Sequence, residues 1–209
     1  MGKKSIFEKK WQDYDRWYEK HADVYRAELN ALRNFIPSGI GLEIGVGTGR
    51  FAHPFQVEFG IDPALNMLHS AKKKDIKVVQ GIGEKLPFKN DSFHFILIVV
   101  TLCFVSDIVM VFKESFRTLK SSGNLIIGMI NKNSSLGKKY EKSRKKSEFY
   151  EHAEFLSPEE ILDPLQKAGF ELTDSRQTLI QTSNKTIKDK SMKKGYNQGG
   201  FVVLKAQKI

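Results

Sequence analysis

Between residues 40 and 130, short apolar runs alternate with amphipathic stretches, and that alternation narrows the available folds more than any other feature of the chain. Apolar segments end in GLEI at 41–44, cover QVEFGI and IKVVQ, and return in SFHFILIVV and NLIIGMI. Between them the pattern predicts a helical turn over RFAHPF, a helix over DPALNMLHSAKKK, a loop over GIGEKLPFKND, and a helix over SDIVMVFKESFRTLK closed by SSG. Asp62 is expected to cap its helix, with Pro63 in the first helical position. Strands separated by helices at this spacing form a doubly wound α/β sheet, mostly parallel, with helices on both faces. SFHFILIVV, the most apolar run, is expected at its centre, buried on both sides.

The ends of the chain add to this frame. From Phe7 to Ile36 apolar and aromatic positions recur three or four apart, which predicts one or two amphipathic helices ending before Pro37. After Asn131 comes a basic, serine-containing segment. LSPEEILDPLQKAGF follows, where Ser157 and Glu160 have the spacing of a capping box and Gly169 ends the helix. FELTDSRQTLI and GGFVVLKAQK are expected as the last two strands, separated by a polar stretch of about twenty residues, a length associated with function or mobility. The expectation is one domain over 1–209, with an N-terminal helical lid at 1–37 and a basic insertion at 132–152.

Composition excludes several classes. The run FHFILIVVTLCFV falls short of the roughly 20 apolar residues of a membrane span, and the N-terminal residues lack the apolar core of an export signal, so the expected location is the cytoplasm with no membrane partner. Cys103 is the single cysteine, which rules out an internal disulfide and a thiol-rich metal site; His21, His53, His69 and His152 have no metal-ligand spacing. The net charge of +10 is spread over three polar stretches, as in solvated faces.

The sequence LEIGVGTGR places Gly45, Gly47 and Gly49 at alternate positions between a strand and a helical turn, which lets backbone atoms approach a ligand closely. Glu43 stands two residues before them. An anion there is unsuited to a phosphate cradle and suited to a ligand with an ammonium and a sulfonium. Asp62 ends the next strand, where a nucleotide-binding sheet holds ribose hydroxyls. GIGEKLPF supplies small residues beside an adenine edge, with Pro87 stiffening the turn.

Together with FKESFRTLKSSGNLIIGMI and SPEEILDPLQKAGF, these motifs resemble a class I S-adenosylmethionine-dependent methyltransferase, closest to the small-molecule type that includes ubiquinone and menaquinone methylases. The resemblance covers nearly the whole chain. It implies a Rossmann-like seven-stranded sheet with an antiparallel last strand, S-adenosyl-L-methionine as cofactor, and methyl transfer to an N, O or S nucleophile of a small-molecule acceptor. It assigns Glu43 to the methionine end of the cofactor, directly or through the loop backbone. Gly45, Gly47 and Gly49 would form the wall beneath methionine and ribose, Asp62 would hold the ribose diol, Gly83 and Glu84 would match the adenine loop, and Thr101 would stand beside the transferred methyl.

Two positions depart from the family pattern: Ile82 replaces a frequent acid at the adenine amino group, and His94 replaces a frequent aspartate and is expected at a strand edge or in the core. No catalytic set is evident, and Thr101, Tyr14 and Tyr18 are the candidates. Tyr14 and Tyr18, with Trp17 and Tyr25 on the N-terminal helix, would either close over the acceptor or pack the helix on the sheet. Arg50 would hold a carboxylate of cofactor or substrate, or face water. Cys103 lacks the preceding proline of pyrimidine carbon methylases and is expected in the core. The rival readings are an RNA or protein methyltransferase of the same fold, a NAD(P)-dependent oxidoreductase, for which Gly47, Gly49 and Ala52 meet a relaxed dinucleotide fingerprint, and a binding protein without turnover. The missing Asn-Pro-Pro-aromatic motif and the absence of an appended RNA-binding module leave nucleic acid unfavoured as a partner.

Overall fold

The computed structural model describes residues 3–180 and 192–209. Three helices come first, α1 (Lys3–Lys9), α2 (Trp11–Lys20) and α3 (Ala22–Arg33), where the periodicity suggested one or two. The breaks fall on single residues, Lys10 and His21, whose ψ angles of 29° and 44° leave the helical region. Hydrogen bonds such as His21 N to Trp17 O still bridge each break, so the spacing of apolar side chains runs through unchanged.

The sheet takes in β1 (Gly41–Ile44), β2 (Phe59–Asp62), β3 (Lys77–Gln80), β4 (Phe93–Val99), β5 (Leu119–Ile130), β6 (Phe170–Thr178), β7 (Lys193–Lys194) and β8 (Phe201–Lys208). Its order is β3-β2-β1-β4-β5-β8-β6-β7. The first five pair in parallel, and β8 runs antiparallel between β5 and β6. Among the described residues the expected seven strands are therefore eight. The additional one, β7, is two lysines paired to β6 at Gln177 and Arg176, too short and too polar for any alternation to announce it. It belongs to the long polar stretch between the last two predicted strands, most of which lies outside the described residues.

Side chains of β4 alternate between two cores. Ile96 and Ile98 pack with Phe112 of α5 (Ile108–Thr118) and with Ile161 and Leu165 of α7 (Pro158–Lys167). Phe95, Leu97 and Val99 pack with Ala31 and Leu32 of α3 and Leu68 of α4 (Leu65–Lys72). The helix α6 (Ser135–Ser143) follows β5. Among the described residues no helix is long and apolar enough to cross a membrane.

Two local expectations change. Asp62 ends β2 rather than capping α4, whose N-cap is Ala64 in extended conformation. Pro63 disfavours helical geometry at the residue before it, which keeps Asp62 in the strand. The sequence SSG does not close α5; Leu119 enters β5 directly, and Ser122 (φ 58°) and Gly123 form a bulge between the pairs Phe93–Leu119 and Phe95–Asn124. The capping box is present, with Ser157 Oγ accepting from Glu160 N and Glu160 Oε2 accepting from Ser157 N.

Candidate active site

The strand order reverses between β1 and β4, and the carboxyl ends of β1, β2 and β4 open into one crevice. A cavity of about 320 Å³ occupies it, walled by Gly45, Gly47, Asp62, Gly83, Glu84 and Thr101 among the expected residues and roofed by Phe7 and Tyr14. Sequence reasoning overlooked Phe7, Met67, Val100 and Phe104, which also line it.

The three glycines serve three purposes. Gly47 (φ 52°) adopts a left-handed conformation that favours glycine, although a Cβ there would meet Met67 Sδ only at an ordinary contact distance of 3.5 Å, and its N–H donates to Asp62 Oδ2 at 3.0 Å. At Gly45 (φ 73°) a Cβ would fall 2.3 Å from Thr101 Oγ1, so that glycine lets the chain pass Thr101. Gly49 turns away from the cavity, where a Cβ would strike Ile76 Cδ1 of the core.

Asp62 receives a second hydrogen bond on Oδ1 from Ala64 N at 2.8 Å. Burial pushes its carboxyl up to about 6, against the pull of these two N–H groups. Both oxygens keep a lone pair for a ligand. Glu43 does not line the cavity. Its neighbours Leu42 and Ile44 belong to the α5–α7 core, so its side chain lies on the opposite face, buried and bonded to the backbone N–H of Ala52. Among the described residues its Oε2 has no hydrogen-bond partner, and burial holds the carboxyl well above its ordinary value.

Thr101 follows β4 and donates to Val99 O at 3.0 Å. Before it, Val100 adopts φ 49°, a strained conformation for a β-branched residue, and its N–H bonds to Gly128 O. On the far wall Glu84 Oε1 accepts from Ser106 N at 2.7 Å, which pins the loop after β3 to the loop after β4. Ile82 is half exposed on the cavity rim.

Helix α2 is tied to the glycine loop by Asp15. Thr48 Oγ1 donates to its Oδ1 at 2.5 Å, Arg50 Nε donates to the same oxygen at 2.7 Å, and Arg50 Nη2 reaches Asp15 O and Glu19. Burial raises the Asp15 carboxyl, and the hydrogen bonds from Arg50 and Thr48 outweigh it, holding the group below its usual range. Arg50 thus neither faces the cavity nor lies free in water; both expectations gave too little weight to acids on a distant helix. Tyr14 Oη and Tyr18 Oη bond to each other at 2.8 Å, but only Tyr14 reaches the cavity, with Tyr18 buried behind it. His94 accepts from Ile40 N at the start of β4, and Cys103 is buried beside Ile130 and Phe155.

A family model described as a methyltransferase domain matches residues 42–127. A solved structure from Thermotoga maritima, described as a SAM-dependent methyltransferase and possible histamine N-methyltransferase, is 42% identical with a TM-score of 0.93 and covers 99% of this chain and 100% of its own. This chain belongs to the S-adenosylmethionine-dependent methyltransferases. The methyltransferase is also 42% identical to an uncharacterized protein of Methanocaldococcus jannaschii, over 98% of this chain and the whole of that one. It is 26% identical to a demethylmenaquinone methyltransferase of Lactococcus lactis over 97% of this chain and 83% of the relative.

Proposed function

We propose that this methyltransferase binds S-adenosyl-L-methionine in the cavity above β1, β2 and β4 and transfers its methyl group to a small-molecule nucleophile. The observation that carries the reading is the pairing of Asp62 with Gly47: a buried carboxylate oriented by two backbone N–H groups beside a bare stretch of chain. A ribose diol needs that combination, two acceptors in fixed positions with no side chain between ligand and backbone. The cavity roof is aromatic and comes from α1 and α2, which favours a small acceptor over a polymer.

The bound cofactor would supply a methyl group already activated on a positively charged sulfur, leaving alignment and exclusion of water to the protein. Asp62 would hold the ribose with its remaining lone pairs. Gly83, Glu84 and Ile82 would border the adenine, with recognition by backbone and packing because Ile82 has no acceptor. Glu43 would act through Ala52, fixing the glycine loop beneath the methionine end. Thr101, against Gly45, would flank the transferred methyl. Tyr14 stays protonated because burial raises its hydroxyl, so it orients and excludes water rather than removing a proton.

One observation favours a polymeric acceptor: Lys138, Lys139, Lys142 and Lys146 border an open groove along α6. Steep weakening of RNA binding with added salt would mark that case. The test of the main proposal is calorimetric titration with S-adenosylmethionine, S-adenosylhomocysteine and NADH in parallel. Saturable binding of the two sulfur compounds alone is expected, and tight binding of NADH without them would overturn it.

A further inference from the structure

The turn on the far wall of the cavity is held from outside it. Gly81, Ile82, Gly83 and Glu84 line the cavity, and Ile82 pairs with Lys85 across the turn. Each end of the turn is fixed by a different element. At its start Gly81 N donates to Asp62 O of β2 at 3.1 Å. At its end Leu86 N donates to Glu114 Oε2 at 2.8 Å, and Leu86 O accepts from Arg117 Nη2 at 3.0 Å. Glu114 and Arg117 lie three residues apart on α5, and neither lines the cavity.

A guanidinium has five N–H donors, and those of Arg117 are all engaged. Nε and Nη2 fork onto the two Glu114 oxygens at 2.8 and 2.7 Å. Nη2 also reaches Leu86 O, and Nη1 donates to Phe88 O at 2.8 Å and to Asn90 Oδ1 at 3.0 Å. The hydrogen bond from Arg117 outweighs burial and holds the Glu114 carboxyl below its ordinary range, so the pair is ionised at neutral pH. The turn also packs tightly against its neighbours: a Cβ on Gly83 would fall 2.8 Å from Ile44 Cγ2 and 3.3 Å from Val111 Cγ2 of α5.

The position of this backbone matters because side chains contribute little beside it. Ile82 offers no acceptor to an adenine amino group, and Glu84 is turned to Ser106 N at 2.7 Å. The main chain of the turn is what meets the base, and hydrogen bonds weaken steeply with a few tenths of an ångström of displacement. We propose that Glu114 and Arg117 are positioning residues for the cofactor, which fix the turn over 81–85 from outside the cavity and thereby set its preference for adenine over other purines. This rests on the S-adenosylmethionine reading given above. Lysine at 117 would keep the charge but lacks the planar fork, so it cannot hold Glu114, Leu86, Phe88 and Asn90 together.

The probes are S-adenosylhomocysteine and S-inosylhomocysteine, whose purine carries a carbonyl in place of the amino group, titrated calorimetrically. The wild-type protein is expected to prefer the adenine compound by about tenfold. Arg117→Lys, shown by a circular dichroism melt to fold, is expected to lose most of that preference and to bind S-adenosylhomocysteine about tenfold more weakly. Glu114→Gln replaces one acceptor oxygen by a donor and moves both quantities in the same direction; it carries the test if the lysine variant does not fold. Ser157→Ala removes the α7 capping box, whose partners line no part of the cavity, so it lowers the melting temperature and leaves both affinities as they are. That contrast separates positioning from general loosening of the fold. A preference that survives in Arg117→Lys and Glu114→Gln, or wild-type binding without any preference, overturns the proposal. If S-adenosylhomocysteine itself fails to bind the wild-type protein, the cofactor reading is what fails, and the positioning role falls with it.

Discussion

On one side of the cavity the lining groups are largely backbone: the turn at Gly47, whose N–H fixes Asp62, the bare turn at Gly45, and the loop of Gly83 held by Glu84 and Ser106. On the other side they are side chains delivered by separate elements, Phe7 from α1, Tyr14 from α2, and Phe104 from the turn after β4. A backbone wall is specified by a few consecutive residues and suits a ligand of fixed chemistry. A side-chain wall can change one residue at a time, which suits an acceptor that differs from one methylase to the next. Asp15 joins the two walls by bonding to Thr48 and Arg50 of the glycine loop.

The largest expected effect lies in the backbone wall. Gly45→Arg places a side chain where even a Cβ would meet Thr101, at a positive φ, and should abolish binding of S-adenosylhomocysteine in a titration. Retained binding would show that this turn is not the ligand surface.

Next comes Glu28, buried on α3. Its folded-state value is raised to about 8, so its contribution to stability is fully present below the unfolded value near 4.5 and is lost as pH rises through about 8. Above pH 8 the wild-type protein carries a penalty on the order of 3–5 kcal/mol. Glu28→Gln should therefore raise the melting temperature at pH 9 and leave it unchanged at pH 4. Parallel melting curves at all pH values would mean that the acid is not buried in solution.

Asp15→Ala should lower stability to urea by about 1–3 kcal/mol, because it strands the Arg50 guanidinium and the Thr48 hydroxyl. It should weaken acceptor binding more than cofactor binding, since α2 carries Tyr14. An equal loss at both would mean that the two walls are not separable.

The smallest effect is a pH dependence of cofactor affinity. Asp62 is also raised, to about 6, so its protonated form favours the folded state below about pH 4, a contribution lost as pH rises through 6. Ribose binding needs the ionised form. Affinity for S-adenosylhomocysteine should be flat above pH 7 and fall by up to about tenfold per unit below 6.

The same contrast governs what the sequence discloses. Gly45, Gly47 and Asp62 are legible because a strand, a glycine turn and the end of the next strand lie within about twenty residues and act largely through backbone. The parallel core is legible for a similar reason, since a strand buried on both faces must be almost wholly apolar, as β4 is. Phe7 and Phe104 are not legible as cavity lining, because they come from α1 and from the turn after β4, and no local pattern links them. Arg50 is misplaced for the same reason: its partners Asp15 and Glu19 are more than thirty residues away. β7 escapes because two lysines carry no periodicity.

The most direct test of the central claim, that Asp62 presented by the Gly47 turn is the cofactor anchor, is the affinity of Asp62→Ala for S-adenosylhomocysteine, with a circular dichroism melt to establish that it folds. A folded variant that has lost at least about a hundredfold in affinity is the predicted result. A folded variant that binds as the wild type does would contradict it.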